Sequence, residues 1–200
     1  MAQTPGSSPR FERVLAAIDR LNNEDPHLVP DRGARRPWEL VHAERMSAWI
    51  ERLAPHASEL LRIAARGQHV RRWTILRDRY PRGRAGYLKW RETLKTFHAD
   101  TVAGLMREAG YADEDVERVR LLMSKRRLGE DPETQTLEDA LCLVFLETQF
   151  ADLRAKTPAD TMRQIVRKTW AKMSPAARAA AVALPLDDAD RAFLRAALAD

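Results

Sequence analysis

Four polar residues stand in helical series where apolar ones belong, and their types suit one kind of chemistry. His42 falls in the series Trp38, His42, Met46, Trp49, Leu53, and His69 in Leu61, Ala65, His69, Trp73. His98 falls in Leu94, His98, Val102, Leu105, and Asp139 in Asp139, Cys142, Leu143, Leu146, Phe150. Steps of three and four mark the buried face of a helix, and a polar side chain in that face needs a partner or costs stability. Three imidazoles and one carboxylate are a donor set for a divalent transition metal (zinc, iron, manganese, cobalt or nickel), because neutral nitrogen and anionic oxygen together suit borderline cations. His27 and His56 differ, each following a proline at a loop or a helix start. Plainer alternatives stand beside the metal: a core histidine is also satisfied by a hydrogen bond, and Thr136-x-x-Asp139 is also the pattern of a capping box.

The stretch RGQHVRRW, residues 66–73, sets His69 among arginines. Those charges lower the imidazole pKa, which helps, since a ligand must be neutral. His69 is expected to point inward at the metal and the arginines outward at an anion. From Arg62 to Lys95 there are eleven Lys and Arg against two acids, Asp78 and Glu92, whereas from Asp100 to Asp139 there are eleven acids against six bases. The basic third attracts phosphates, on a small molecule or on nucleic acid. Arg71, Arg72, Arg82, Arg84, Lys89 and Arg91 are the candidates for gripping phosphate, with Tyr87 or Trp90 to stack on a base or ring. Any one of these arginines also reads as a solvated helix face or half of a surface ion pair. A cation in these surroundings would acidify water and polarise a phosphoryl oxygen while the arginines neutralise the transferred group. Glu138 and Glu147 are the carboxylates at hand for a general base.

Positioning these groups falls to helices. With 44% hydrophobic residues, 32% charged and only eight glycines in 200, the chain is globular rather than disordered and favours helix. Ser8-Pro9 opens a first helix, Pro37 a second to about Leu53, and Pro55 separates a third over roughly Ala57 to Trp73. Asn22 to Arg36 reads as a loop, as does TILRDRYPRGRAG up to Gly86. A fourth helix runs from about Tyr87 to Ala109 before Gly110, and Asp113 caps a fifth ending near Gly129. Thr136 caps a sixth to about Lys156, Thr157-Pro158 a seventh, Ser174-Pro175 an eighth, and a last short helix covers about Asp188 to Leu198. The class is all-α, a bundle of about eight or nine helices, with a core over residues 1–156 and a C-terminal helical extension over 157–200 packed on it. The lone Cys142 offers neither a disulfide nor a cysteine zinc site and suggests a reducing compartment. MAQTPGSSPRFER has no apolar stretch of signal type, and no run nears the roughly 18 residues of a membrane span, so a soluble cytoplasmic protein with no membrane partner is expected.

From Phe11 to about Leu186 the chain resembles the bacterial family named domain of unknown function 4202, on the stretches RIAARGQHVRRW, YPRGRAGYLKWR, LKTFHAD and DPETQTLEDALCLVFLE. That family carries no established activity. A more distant likeness is to the HD superfamily of metal-dependent phosphohydrolases, all-helical proteins in which a histidine, a His-Asp doublet and a later aspartate hold the metal. His42, the doublet position Gln68-His69, and Asp139 match in order and approximate separation, with His98 where some relatives place an additional histidine. The resemblance implies an HD-like bundle and agrees with a metal at His42, His69, His98 and Asp139; Glu138 as general base and Gln68 at the doublet position are the catalytic candidates. The doublet departs from the pattern by reading Gln-His, which removes the carboxylate that helps orient water. Either a site of different composition is rebuilt around His69 and His98, or the fold persists without catalysis.

Met123-Ser124-Lys125-Arg126 resembles the ATP loop of class I aminoacyl-tRNA synthetases, but the rest of that machinery is missing, and a basic helix C-terminus accounts for the same letters. A Gly-x-Ser-x-Gly elbow and a Walker loop are also missing. Two functions stay open: a metal-dependent phosphohydrolase acting on a small phosphorylated or nucleotide-like substrate, and a non-catalytic helical module whose basic 62–95 region binds RNA or another polyanion.

Overall fold

Serine or aspartate side chains cap five of the ten α-helices among the described residues, and proline fixes the first helical φ at three of these. The expected caps Asp113 and Thr157 make no such bond, since their helices start after Ala112 and Pro158. The computed structural model describes residues 8–199. Ser8 accepts the Phe11 amide (3.3 Å) at the head of α1 (Pro9–Asn22), and Ser58 accepts the Leu61 amide (3.1 Å) at the head of α3 (Glu59–Arg66). Between them lies α2 (Trp38–Leu53). The 25-residue α4 (Arg84–Glu108) and α5 (Asp113–Ser124) follow, then α6 (Pro132–Thr148) and the short α7 (Phe150–Lys156). The chain continues with α8 (Ala159–Lys172), α9 (Pro175–Val182), capped by Ser174, and α10 (Asp188–Leu198), capped by Asp187.

The class is therefore all-α, with ten α-helices among the described residues rather than eight or nine. The extra helix arises because the expected sixth breaks at Gln149 into α6 and α7. It also opens a turn early: Asp131, not Thr136, is the cap, accepting the Glu133 and Thr134 amides at 2.9 and 3.1 Å, while Thr136 Oγ1 donates back to Pro132 O inside the helix. The stretch expected as a loop contains an antiparallel hairpin, β1 (Leu28–Asp31) against β2 (Ala34–Pro37), turned by Arg32 and Gly33 with φ of 50° and 80°. Two successive left-handed residues are the hairpin geometry that follows strand twist. Most important for the site, the third helix stops at Arg66 instead of Trp73. Gly67 is forced by packing, since a Cβ there would collide with Val102 on α4. His69 therefore sits in a turn, not on a helical stripe.

The core is one continuous apolar cluster, from Phe11, Val14 and Ile18 on α1 through Met46, Ile50, Ile63, Val102, Leu122 and Leu143 to Leu194 and Ala197 on α10. Helices α4 and α5 pack together, α2 lies on α6, and α3 bridges α2 and α5; α8 and α9 cover α6, and α10 covers α8. Among the described residues no helix is long and apolar enough to cross a membrane.

Asp131 also anchors α5 to α6 through a two-oxygen ion pair with Arg118, which holds its carboxyl down to about 2 from 3.8. Asp131→Ala is expected to cost about 1–2 kcal/mol of stability at neutral pH, the range for a lost helix cap. A depressed folded-state pKa stabilises above the unfolded value and is lost as pH falls through the folded one. Urea midpoints of wild type and variant should therefore converge as pH drops from about 4 to about 2, and stay apart above that.

Candidate metal centre and cationic cleft

Helix α2 brings two donors to one place. Glu39 and His42 are one turn apart on its buried face, at 4% and 1% exposure. The head of this helix is fixed from outside: buried Asp25 accepts the Glu39 amide (3.0 Å), and Trp38 N donates to His27 O (2.8 Å). The third donor, His69, comes from the turn after α3, which Arg71 ends with a left-handed φ of 54° and a backbone N–H that donates to Asn22 Oδ1. His98 on α4 donates from Nδ1 to Val70 O (2.8 Å), which fixes its tautomer and leaves Nε2 with a free lone pair.

The ligand atoms of Glu39, His42 and His69 lie within 4.8 Å of one another. Glu39 Oε2 and His69 Nδ1 are 3.6 Å apart, too long for a good hydrogen bond. A tetrahedral ion with bonds of about 2.1 Å keeps its donors roughly 3.4 Å apart, so this spacing fits two ligands of one ion. The imidazoles of His42 and His69 stack at 4.1 Å and 19°, and the His98 ring is 5.9 Å from that of His69. Among the described residues, Glu39 Oε2, both nitrogens of His42, Nε2 of His98 and Oε1 of Gln68 are buried without a hydrogen-bond partner. So many unsatisfied buried atoms in one region are costly unless a ligand or ordered water satisfies them. Burial, then the neighbouring His69, holds His42 well below the usual histidine range; burial, then Arg72, does the same to His69. Burial also brings His98 to about 4 and pushes Glu39 up to about 7. The imidazoles are thus neutral, as ligation requires.

His69, at 20% side-chain exposure, separates this group from a cleft of about 340 Å³. Its walls carry Gln68, His98, Arg72, Arg91, Lys95, Lys125 and Lys172, with Leu88, Leu94, Leu128 and Leu141 as apolar surface. Arg72 lies over the Trp90 ring at 4.7 Å and Arg91 over Tyr87 at 5.9 Å. The aromatics expected to stack on a substrate ring instead carry guanidinium groups, and Trp90 is itself tied to Ile75 O by its indole N–H (2.9 Å).

Of the four residues expected to gather around a metal, the structure brings His42 and His69 together, sets His98 beside them, and leaves Asp139 out of the group. Asp139 is buried for another reason: its Oδ1 accepts from Ser174 N and Gln135 Nε2, both at 2.9 Å, fastening the turn between α8 and α9. Nor is it part of a capping box, since α6 begins at Pro132. Glu138 is no free base. Burial would raise its carboxyl, but Lys125 (2.8 Å) and Lys172 (3.2 Å) outweigh that and hold it at about 2. Glu147 accepts from Trp49 Nε1 and Arg45, both at 2.9 Å. Of the phosphate-gripping candidates only Arg72 and Arg91 line the cleft; Arg71 turns away with its Nε buried, and Arg82, Arg84 and Lys89 are exposed elsewhere on the surface. Missing from the sequence expectation were Glu39, Lys95, Lys125 and Lys172. Glu39 had a signal, the spacing Glu-x-x-His on one helix face.

An all-α protein with a buried His-His-Glu group under a cationic cleft is the class that fold and site define. The chain belongs to the family described as "Domain of unknown function (DUF4202)", whose profile matches residues 12–194. Neither a curated protein nor a solved structure matches it.

Proposed function

We propose that the protein is a metal-dependent phosphohydrolase acting on a small phosphorylated or nucleotide-like substrate, with a divalent transition metal held by Glu39, His42 and His69. The observation carrying this reading is that the unpartnered buried donors of Glu39 and His42 meet the half-buried His69, which lines a cleft, and that the cleft presents arginines without a carboxylate ion pair among the described residues. When bound, the ion supplies Lewis acidity for a phosphoryl oxygen and for water. Glu39 contributes the anionic oxygen that the Gln68-His69 pair lacks. Arg72, its guanidinium oriented by Trp90 and its charge weakly hydrated by burial, takes the non-bridging oxygens of the phosphoryl group, and Arg91 assists from the rim. The carbonyl oxygen of Gln68, buried without a partner beside the cleft, is an acceptor available to a ligand there. His98, its Nδ1 occupied by Val70 O, offers Nε2 as an acceptor on the same floor.

The test is hydrolysis of p-nitrophenyl phosphate and nucleoside monophosphates by chelator-treated protein resupplied with zinc, iron, manganese, cobalt or nickel. Turnover with at least one metal, abolished by chelation, is expected; no turnover and no metal uptake with all five contradicts the reading. The exposed Arg82, Arg84 and Lys89 favour a second reading, RNA binding, in which affinity falls steeply with salt and with substitution of these residues, and metal is irrelevant.

A further inference from the structure

Lys125 is an unusual residue for its place. It follows α5 in a left-handed conformation, φ 55°, where helix ends favour glycine because a Cβ is strained there. Its side chain is nonetheless only 15% exposed and reaches into the cleft, its ammonium 2.8 Å from Glu138. A second lysine, Lys172 from the end of α8, meets the other oxygen of the same carboxylate at 3.2 Å. One glutamate thus faces two lysines, and one positive charge is left over. Along the rest of the wall Lys95 is matched by Glu92 at 2.6 Å, while Arg72 and Arg91 have aromatic rings but no carboxylate as partners. The five cations and two carboxylates lining the cleft therefore leave three positive charges uncompensated. A single phosphoryl dianion neutralises only two.

We propose that Lys125 and Lys172 form a second anion subsite, and that the ligand of the cleft is a diphosphate ester. One phosphoryl group lies at Arg72 and His69, the other at Lys125 and Lys172, and the organic part lies on Leu88, Leu94 and Leu141. Glu138 is the counter-ion that holds the two ammonium groups apart and oriented. The subsite deepens the hydrolase reading by naming its substrate class, yet it needs no metal, so the two can fail separately.

Calorimetric titration of chelator-treated protein with inorganic phosphate, inorganic pyrophosphate and methyl diphosphate tests it. Wild type is expected to bind both diphosphates at least about tenfold more tightly than phosphate, about 1.4 kcal/mol. Methyl diphosphate binding as tightly as pyrophosphate, or more so, supports an ester as the ligand; clearly weaker binding overturns the ester assignment. Lys125→Gly should lose most of the diphosphate preference while its melting temperature holds or rises, because glycine suits that backbone. Lys172→Met, at a half-exposed position, should lose several-fold in diphosphate affinity without unfolding, and Glu138→Gln should bind every anion more tightly. Equal binding of phosphate and pyrophosphate by wild type overturns the subsite, as does wild-type diphosphate affinity in Lys172→Met. Because no metal is present, turnover failing elsewhere leaves these results standing, and turnover succeeding does not rescue them.

Discussion

Glu39→Gln should lose metal affinity by at least about 100-fold, roughly 2.7 kcal/mol, while Asp139→Ala keeps its metal. Glutamine has the shape of glutamate and keeps an oxygen, so α2 and its tie to Asp25 through the backbone amide remain intact; what goes is the anionic donor 3.6 Å from His69. Two stacked neutral imidazoles without a carboxylate hold a divalent cation poorly, since nothing offsets its charge in a buried site. Asp139→Ala has a different consequence. It removes the acceptor of Ser174 N and Gln135 Nε2, so stability falls by about 1–2 kcal/mol, with the loss arising at the α8–α9 turn. Chelator competition for affinity and urea unfolding for stability separate the two variants cleanly: one loses metal and keeps its stability, the other keeps its metal and loses stability.

Arg72→Ala is expected to lower kcat about 10²- to 10³-fold, roughly 2.7–4 kcal/mol, with metal content unchanged. The guanidinium lies partly buried over Trp90, and burial lowers its pKa, offset only in part by the charge of nearby Glu39, with which it makes no ion pair. An arginine so placed is oriented before substrate arrives and needs little reorganisation to meet developing negative charge. Arg82→Ala and Arg84→Ala, both exposed and outside the cleft wall, should leave kcat within about twofold of wild type; a large loss from either would move the substrate out of the cleft.

The positions of His42, His69 and His98 in apolar series made them legible as a group, and the three rings do lie in a row through the core. For His69 the series itself was not helical. Its spacing from Leu61 and Ala65 matches a stripe, yet α3 ends at Arg66, because a glycine packed against Val102 and a left-handed Arg71 convert the following residues into a turn. Asp139 shows why a buried carboxylate on a stripe is ambiguous: its partners are a backbone amide 35 residues away and a neighbouring side chain, neither visible in local spacing. Glu39 escaped notice for the opposite reason. An acid in the first turn of a helix is common because it suits the helix dipole, and that ordinary explanation concealed its place one turn before His42. The charge pattern told the sign of the cleft but not its members. Arg72 and Arg91 belong to the basic segment, whereas Lys125 follows α5 in the stretch read as an ordinary basic helix C-terminus, and Lys172 ends α8 in a stretch that gave no cue. Helix number erred through a break at Gln149 inside an apolar run, and the start of α6 erred by a turn because Asp131 rather than Thr136 caps it.

The most direct measurement is X-ray absorption at the edge of whichever of zinc, iron, manganese, cobalt or nickel the purified protein binds most tightly, on wild type and on Glu39→Gln. Stoichiometric metal with a first shell of two imidazole nitrogens plus carboxylate oxygen, the oxygen contribution lost and the metal weakened in the variant, is the predicted outcome. A spectrum without imidazole scattering, or one identical in the two proteins, would put the ion elsewhere and remove Glu39, His42 and His69 as its site.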